Sequence, residues 1–286
     1  MNENADLGGF PFEEEGEWED GSYTSISPRP WFFSASQIDT FLACPRKWAW
    51  RYIAKKRGPD HPSAKLGTEM HRLLENYLRD GTPLPFSDPS PLTREAAAIA
   101  SPSLVHLPQP KTPGMAVERK FTFKSGDPLP HGPLLFTGKV DVSLSPLATG
   151  TSVPKVIDHK SSSNMSRYAK TPDDLEEDPQ AILYAYDAMV TYKSKVVDLE
   201  WIYSSTRGAR KSMPVRLRLH ASHVVPRFLA FRPALMQLHA SLHSNRTPES
   251  FPGDESHCDA FGGCPYKADC APLFKNTNPF SRMNTR

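Results

Sequence analysis

The stretch KVIDHKSSS, residues 155–163, places two charged side chains one residue apart behind an apolar pair. Successive side chains of a β-strand point to opposite faces, so Asp158 and Lys160 project from one face, and Ile157 and His159 from the other. The pattern predicts a half-buried strand on which a carboxylate and an ammonium group share one environment. The alternative is an exposed strand face with a weak ion pair, worth about 0 to 1 kcal/mol.

The strand predicted before this one ends in TGKVDVSL, residues 137–144, and supplies a second carboxylate, Asp141. Two converging carboxylates can hold Mg²⁺ or Mn²⁺, which prefer oxygen ligands. A nearby lysine can orient or deprotonate a metal-bound water for attack on phosphorus. Asp141, Asp158 and Lys160 therefore predict a metal-dependent phosphodiesterase. An aspartate that caps a turn between strands is the alternative for Asp141.

The elements around these residues predict an α/β fold. Three consecutive strands are indicated by MAVERKFTF, LLFTGKVDVSL and PKVIDHKSS, at residues 115–123, 134–144 and 154–162. Helical periodicity is clearest in KLGTEMHRLLENYL, residues 65–78, and in DPQAILYAYDAMVTY, where Asp178 is the expected cap. Two more strands, near 197–205 and 213–220, and a helix near 221–243 follow. This order indicates an α/β domain with a helical subdomain.

Composition and charge exclude several classes of protein. A chain of 286 residues with 38% hydrophobic content can bury a core. It shows neither an apolar run of the about 18 to 20 residues that span a bilayer nor the layout of a signal peptide. We therefore expect an intracellular, cytoplasmic protein with no membrane partner. Residues 1–20 contain eight acidic and no basic side chains, so the net charge of +2 conceals a basic body that suits nucleic acid.

The four cysteines are divided unevenly along the chain. Cys44 is early, whereas Cys258, Cys264 and Cys270 lie together near the end, in HCDAFGGCPYKADC. Disulfides are rare in the reducing compartment expected here. Reduced thiols, a bound metal ion and a metal cluster are the alternatives that remain.

Five segments, in order, resemble the PD-(D/E)XK nuclease superfamily, and specifically its RecB-like branch, which includes the AddB nuclease domain and the iron-sulfur exonucleases of CRISPR adaptation. Together with the terminal cysteines the resemblance covers most of residues 34–273. SASQIDTFLACPRKWAWRYI is similar to the family's entry segment, and LGTEMHRLLE is similar to its histidine helix. GKVD is similar to the first acidic motif, and VIDHKSS is similar to the D-x-K motif. QAILY is similar to the family's Q-x-x-x-Y helix.

The resemblance implies a restriction-endonuclease-like fold, with a mixed β-sheet core flanked by helices and an N-terminal helical subdomain tied to the C-terminus by a metal cluster. It implies a Mg²⁺- or Mn²⁺-dependent DNA exonuclease acting on ends or single strands. Lys160, Asp158 and Asp141 would be catalytic, and Gln180 and Tyr184 would contact the substrate. The implied metal ligands are His71, Asp141, Asp158 and the backbone carbonyl of His159. Glu118 matches a recurrent acidic position of unknown role.

The same resemblance implies that Cys44, Cys258, Cys264 and Cys270 bind a [4Fe-4S] cluster, which needs four thiolates. This chain departs from the family in one detail, because five residues separate Cys258 from Cys264 where the family usually has two. The glycine-rich segment between them can fold back. Zn²⁺ is the alternative cofactor, bound by the four cysteines or with His257 in place of one of them.

We expect the chain to be organised as an acidic disordered tail (1–30), a single nuclease domain (31–275) and a short tail (276–286). Within the domain we predict a helical subdomain (31–113), a catalytic core (114–219) and a C-terminal helix with the cysteine cluster (220–275). DNA is the expected partner, and the resemblance adds a protein partner in recombination or CRISPR adaptation. A non-catalytic DNA- or partner-binding module on a nuclease fold and a zinc-stabilised structural protein are the competing hypotheses.

Overall fold

The computed structural model describes residues 12–13, 32–58, 62–125, 133–242, 247–259 and 263–270. The predicted tails lie outside these residues, apart from 12–13. The chain divides into two compact units: the first takes the described residues of 1–59, 122–138 and 228–286, and the second those of 60–121 and 139–227. Two strands and one helix contribute residues to both units.

The described strands are β1 (Phe12–Glu13), β2 (Phe32–Phe33), β3 (Met115–Ser125), β4 (Leu135–Leu144), β5 (Lys155–Ser162), β6 (Val196–Ser205) and β7 (Ser212–His220). The described α-helices are α1 (Ala35–Ala43), α2 (Pro45–Tyr52), α3 (Pro62–Asp80), α4 (Pro91–Ala100), α5 (Pro146–Thr149), α6 (Met165–Tyr168), α7 (Pro172–Glu176), α8 (Pro179–Tyr192), α9 (Ala221–Leu242) and α10 (Lys267–Cys270). The predicted strands and long helices are confirmed, with α9 described as far as Leu242.

The second unit contains a mixed sheet in the order β3-β4-β5-β6-β7. Strand β5 pairs antiparallel with β4 and parallel with β6, and β6 pairs antiparallel with β7. The parallel step from β5 to β6 requires a crossover connection, which α6, α7 and α8 provide. The mixed sheet flanked by helices confirms the predicted α/β class.

Two helices pack on opposite faces of this sheet, because alternate residues of β5 meet different helices. Ile157 joins a buried cluster with Met70 and Leu74 of α3 and with residues of α4. Asp158, the next residue, accepts a hydrogen bond from Gln180 of α8. Helices α3 and α8 therefore deliver their side chains to the two faces of one strand.

Helix α8 begins where the sequence predicts. The Asp178 carboxylate accepts hydrogen bonds from the backbone N–H groups of Gln180 and Ala181, both at 2.9 Å, and Pro179 occupies the first helical position. Such a cap contributes about 1 kcal/mol to helix stability. The cap matters for the site because it fixes the first turn of α8, which carries Gln180.

In the first unit β2 pairs parallel with the start of β4, and β1 pairs antiparallel with the end of β3. Cys44 separates α1 from α2 and caps α2, since its sulfur accepts a hydrogen bond from the Lys47 N–H at 3.4 Å. The buried Trp48 ring contacts Phe41 and Phe251. Within the described residues, no helix is long and apolar enough to cross a membrane.

The N-terminal helices of the first unit are fastened to its C-terminal residues by hydrogen bonds. The buried Arg46 donates its Nε to the carbonyl of Phe251 at 2.9 Å and its backbone N–H to that of Pro252 at 3.0 Å. The Tyr266 hydroxyl donates to the carbonyl of Lys56 at 2.6 Å. The N-terminal and C-terminal residues of the first unit are thus joined by direct protein contacts, and the predicted tie through a metal cluster stays a prediction.

Candidate active site

Asp158 and Lys160 of β5 share one environment. Asp158 is 1% exposed and forms an ion pair with Lys160. Gln180 bridges the two, since its amide nitrogen donates to Asp158 Oδ1 at 2.9 Å and its amide oxygen accepts from Lys160 Nζ at 3.1 Å. The predicted arrangement of the D-x-K strand is therefore present, and the weak exposed ion pair is excluded for Asp158.

Tyr184 extends this network to β4. Its hydroxyl accepts a hydrogen bond from the Gln180 amide at 2.9 Å and donates to the backbone carbonyl of Lys139 at 2.6 Å. The ring is 6% exposed. In this structure Gln180 contacts Asp158 and Lys160 directly and Tyr184 contacts Gln180, and the contact of Gln180 and Tyr184 with substrate stays a prediction.

Asp141 of β4 lies between α3 and β5. Its Oδ2 accepts the backbone N–H of His159 at 2.8 Å and lies 3.3 Å from His71 Nδ1. Burial alone would raise the pKa of Asp141, but the hydrogen bond and charge of His71 outweigh burial and lower this pKa to about 2. Burial lowers the pKa of His71, and the Asp141 carboxylate more than restores it, so the net pKa is raised. Asp141 is therefore the ionised carboxylate of the site.

Asp158 behaves in the opposite way. Its complete burial raises its pKa to about 6, against the effect of Lys160, and the negative charge of Asp141 contributes to the rise. Burial lowers the pKa of Lys160, but the Asp158 carboxylate outweighs it and the net pKa is raised. The two carboxylates thus differ in pKa although both belong to the same site, and a bound cation would favour ionisation of both.

Glu118 completes a group that can hold a metal ion. One ligand atom each from His71, Glu118 and Asp141 lie within 4.8 Å of one another, and among the described residues this is the one group of histidine, cysteine and acidic side chains to do so. The Glu118 side chain is 9% exposed and forms an ion pair with Lys139. The two carboxylate oxygens suit Mn²⁺ or Mg²⁺, and the imidazole nitrogen favours a transition-metal ion such as Mn²⁺ over Mg²⁺. The metal role of Asp158, which is outside this group, stays a prediction.

The backbone of Glu118 is in the left-handed region, with a φ of 55° in the middle of β3. This conformation costs a residue with a side chain about 1 to 2 kcal/mol. Strain of this kind concentrates at functional sites, where the surrounding structure holds it in place. The sequence signal for Glu118 was its match to a recurrent acidic position, which left its role open; the structure places it with His71 and Asp141.

His159 lies on the other face of β5, as alternation predicts. Its ring meets the His71 ring edge-on at a centroid distance of 5.8 Å, and within the described part of the chain neither ring nitrogen has a hydrogen-bond partner. Burial lowers the pKa of His159 to about 4, so the ring is neutral at neutral pH. The neutral His159 ring therefore packs against the His71 ring and adds no charge to the site.

The metal-binding group opens onto a cleft of about 700 Å³ in the second unit. Besides His71, Glu118 and Asp141, its lining includes Arg72, Lys139 and Ser161 among others. Arg72 is held by two hydrogen bonds to Glu69, at 2.8 and 2.6 Å. Acidic ligands at the floor and basic side chains beside them suit a cation and a phosphate, respectively.

The four predicted cluster ligands all lie in the first unit as free cysteines, three of them buried. Cys258 and Cys264 are joined by a hydrogen bond, which the Cys264 N–H donates to the Cys258 carbonyl at 2.7 Å, and Gly263 has a φ of 98°. Burial raises the pKa of Cys258, and proximity to Cys264, Cys44 and Cys270 raises it further. No three of these sulfurs fall within 4.8 Å of one another in the described residues.

Comparison with known proteins gives one family match. The family model of the PD-(D/E)XK nuclease superfamily matches residues 32–271. Among solved structures, the crystal structure of SSO0001 is 12% identical, with 88% of this chain and 91% of that chain covered, at a TM-score of 0.43. No protein with a curated description matches the sequence.

Proposed function

Because the chain belongs to the PD-(D/E)XK nuclease superfamily, whose members are usually metal-dependent nucleases, we propose that it is a Mg²⁺- or Mn²⁺-dependent deoxyribonuclease. The observation that carries this proposal is that Asp158 and Lys160 form an ion pair and interact electrostatically with Asp141, which lies 3.3 Å from His71. A protein-binding scaffold has no need of this trio. More finely, we propose an exonuclease of the RecB-like branch that acts on DNA ends or single strands.

The residues present fit a divalent cation. His71, Glu118 and Asp141 would hold it, with Asp158 as a further ligand, and a bound cation supplies the Lewis acid and the acidified water for phosphodiester hydrolysis. Lys160, whose raised pKa keeps it an ammonium group at neutral pH, would orient the attacking water. Gln180 keeps Lys160 beside Asp158 through its two hydrogen bonds. Asp178 in turn fixes the turn of helix that carries Gln180.

We further propose a [4Fe-4S] cluster bound by Cys44, Cys258, Cys264 and Cys270. The support is the mutual proximity of these thiols in one unit, and the hydrogen bond that joins Cys264 to Cys258 across the longer spacing. Iron ions bound to the thiolates would relieve the electrostatic cost of collecting them. Zn²⁺ is the competing occupant, and metal analysis of anaerobically purified protein distinguishes about four irons per chain from one zinc.

The function is tested with end-labelled single- and double-stranded DNA in the presence of Mn²⁺. The wild-type protein should shorten labelled DNA, EDTA should stop it, and Lys160→Ala should abolish cleavage without changing DNA binding. Lys195→Ala is a matched control, because Lys195 is an exposed lysine of the same unit. Wild-type protein that binds DNA but never cuts it would favour the non-catalytic module.

A further inference from the structure

The segment that follows the catalytic strand presents an aromatic ring and two cations to solvent. Residues 163–170 connect β5 to α7 and contain the short helix α6. Tyr168 is 42% exposed, and Arg167 and Lys170 beside it are exposed as well. The Arg167 guanidinium lies over the Tyr168 ring, 5.4 Å from its centroid. Exposed aromatic side chains combined with basic ones are the usual elements of a surface that binds single-stranded nucleic acid.

This segment is fastened to the same elements that position Lys160. The backbone N–H of Lys170 donates to the Tyr203 hydroxyl at 3.1 Å, and Tyr203 of β6 pairs directly with Lys160 of β5. The Lys170 ammonium forms an ion pair with Asp178, the cap of α8. Tyr203 therefore links the end of this segment to the strand position of Lys160.

The short helix is also fixed at its start. Asn164 caps α6, and its side chain accepts hydrogen bonds from the backbone N–H of Arg167 at 3.2 Å and from the hydroxyl of Ser166 at 2.8 Å. A side chain on an anchored backbone loses less conformational entropy on binding than one on a free loop. The Tyr168 ring is thus a preorganised exposed surface rather than a chance feature of an unattached loop.

We propose that Tyr168, with Arg167, is a stacking platform for a base of single-stranded nucleic acid whose backbone runs into the Lys160 site. The proposal rests on the proposed nuclease function and deepens it by naming the substrate form. In a duplex both faces of each internal base are already stacked, so only an unpaired base can lie on the ring. Lys170 and Arg167 would contact the adjoining phosphates.

The experiment measures binding in a Lys160→Ala background, so that cleavage does not interfere. Fluorescence anisotropy with a labelled single-stranded 12-mer should show that Tyr168→Ala weakens binding roughly 5- to 150-fold, the range expected for loss of one base–aromatic contact. Tyr168→Phe should bind like its parent, because the ring is kept. Tyr168→Leu, of similar bulk but without a ring, should resemble Tyr168→Ala. Affinity for a closed circular duplex, which has no terminal base pair to lie on the ring, should change less than two-fold when it is measured by competition.

Two controls make the result specific. Phe86→Ala removes an aromatic side chain that is 57% exposed elsewhere in the second unit, and it should leave single-strand binding unchanged. An abasic oligonucleotide offers phosphates without bases, so the parent and Tyr168→Ala should bind it equally. Thermal melting of each variant checks that the fold is intact, and Tyr168→Leu keeps the test decisive if the alanine variant unfolds.

The outcomes separate this proposal from the proposed function. The stacking platform is overturned if the parent and Tyr168→Leu bind the single strand equally, or if the substitution weakens duplex and single-strand binding equally. Neither result affects the proposed nuclease function, which is tested by cleavage with the wild type. If these variants lose affinity for the single strand alone and the wild type never cuts DNA, the stacking platform is supported and the nuclease function is rejected. Absence of single-strand binding in the parent overturns the platform outright.

Discussion

The Asp158→Asn substitution removes a buried charge from the candidate site while it keeps the shape of the side chain. Asparagine can still accept the hydrogen bond from Gln180 that Asp158 Oδ1 accepts at 2.9 Å. What changes is titration, because burial raises the pKa of Asp158 from 3.8 to about 6. The variant should therefore show by how much the ionised Asp158 carboxylate lowers the free energy of unfolding of the metal-free protein.

The sign follows from proton binding. Between pH 3.8 and about 6 the folded protein keeps the Asp158 proton that the unfolded chain has lost, so wild-type stability falls as pH rises through this window and stays lower above it. Each pH unit corresponds to about 1.4 kcal/mol. The stability of Asp158→Asn relative to wild type should rise by about 1 kcal/mol from pH 5 to pH 6, rise by a few tenths more, and level off above about pH 7. Over the whole window the rise is about 3 kcal/mol.

Urea unfolding of both proteins at pH 5, 6, 7 and 8 in EDTA measures this difference. Titration of His159 affects both proteins alike and cancels, because Asp158 is not among the groups that shift the pKa of His159. The Asp158 charge does raise the pKa of His71, so the His71→Gln variant of both proteins is measured as well. Mn²⁺ should then stabilise the wild type more than the variant, because a cation favours the ionised carboxylate. A stability difference that is flat from pH 5 to pH 8 would refute the argument, since it would mean that Asp158 has the same pKa in the folded and unfolded chain.

Three more predictions address the metal ligands, the backbone strain and the cluster. Glu118→Gln should weaken Mn²⁺ binding about ten-fold or more in calorimetry, because it removes one of the converging carboxylates; unchanged affinity would exclude Glu118 as a ligand. Glu118→Gly should be more stable to urea than Glu118→Ala by about 1 kcal/mol, since glycine adopts a φ of 55° without steric cost; equal stabilities would show that the strain is absent. Cys44→Ala should lose the broad visible absorbance and the iron expected of anaerobically purified protein; a variant that keeps both would remove Cys44 from the ligand set.

The strand and helix positions were predictable because local chemistry determines them. Alternation in KVIDHKSSS assigns Asp158 and Lys160 to one face, and the pair Asp178–Pro179 marks the first turn of α8. Neither rule indicates that α8 packs on the face that carries Asp158. The bridge from Gln180 to both charged groups depends on that packing, so only the resemblance to a family placed Gln180 near the site.

Glu118 marks the limit of inference from sequence for a different physical reason. In MAVERKFTF it occupies an ordinary strand position, and a non-glycine residue gives no warning of a positive φ. The departure from regular strand geometry turns the side chain toward His71 and Asp141. Period-two alternation does not describe a residue at such an irregularity, so periodicity could not assign Glu118 to the metal-binding group.

The candidate active site and the four cysteines lie in different units of the chain. His71, Glu118, Asp141, Asp158, Lys160 and Gln180 all belong to the second unit, whereas the four cysteines belong to the first. No residue of the proposed catalytic machinery is a cysteine, so a cluster bound by the cysteines would supply no group to the reaction. Its proposed contribution is to the stability of the first unit, where Arg46, Lys56 and Tyr266 already join the N-terminal and C-terminal residues. Loss of the cluster should therefore appear first in unfolding experiments and only secondarily in metal binding at His71 and Asp141.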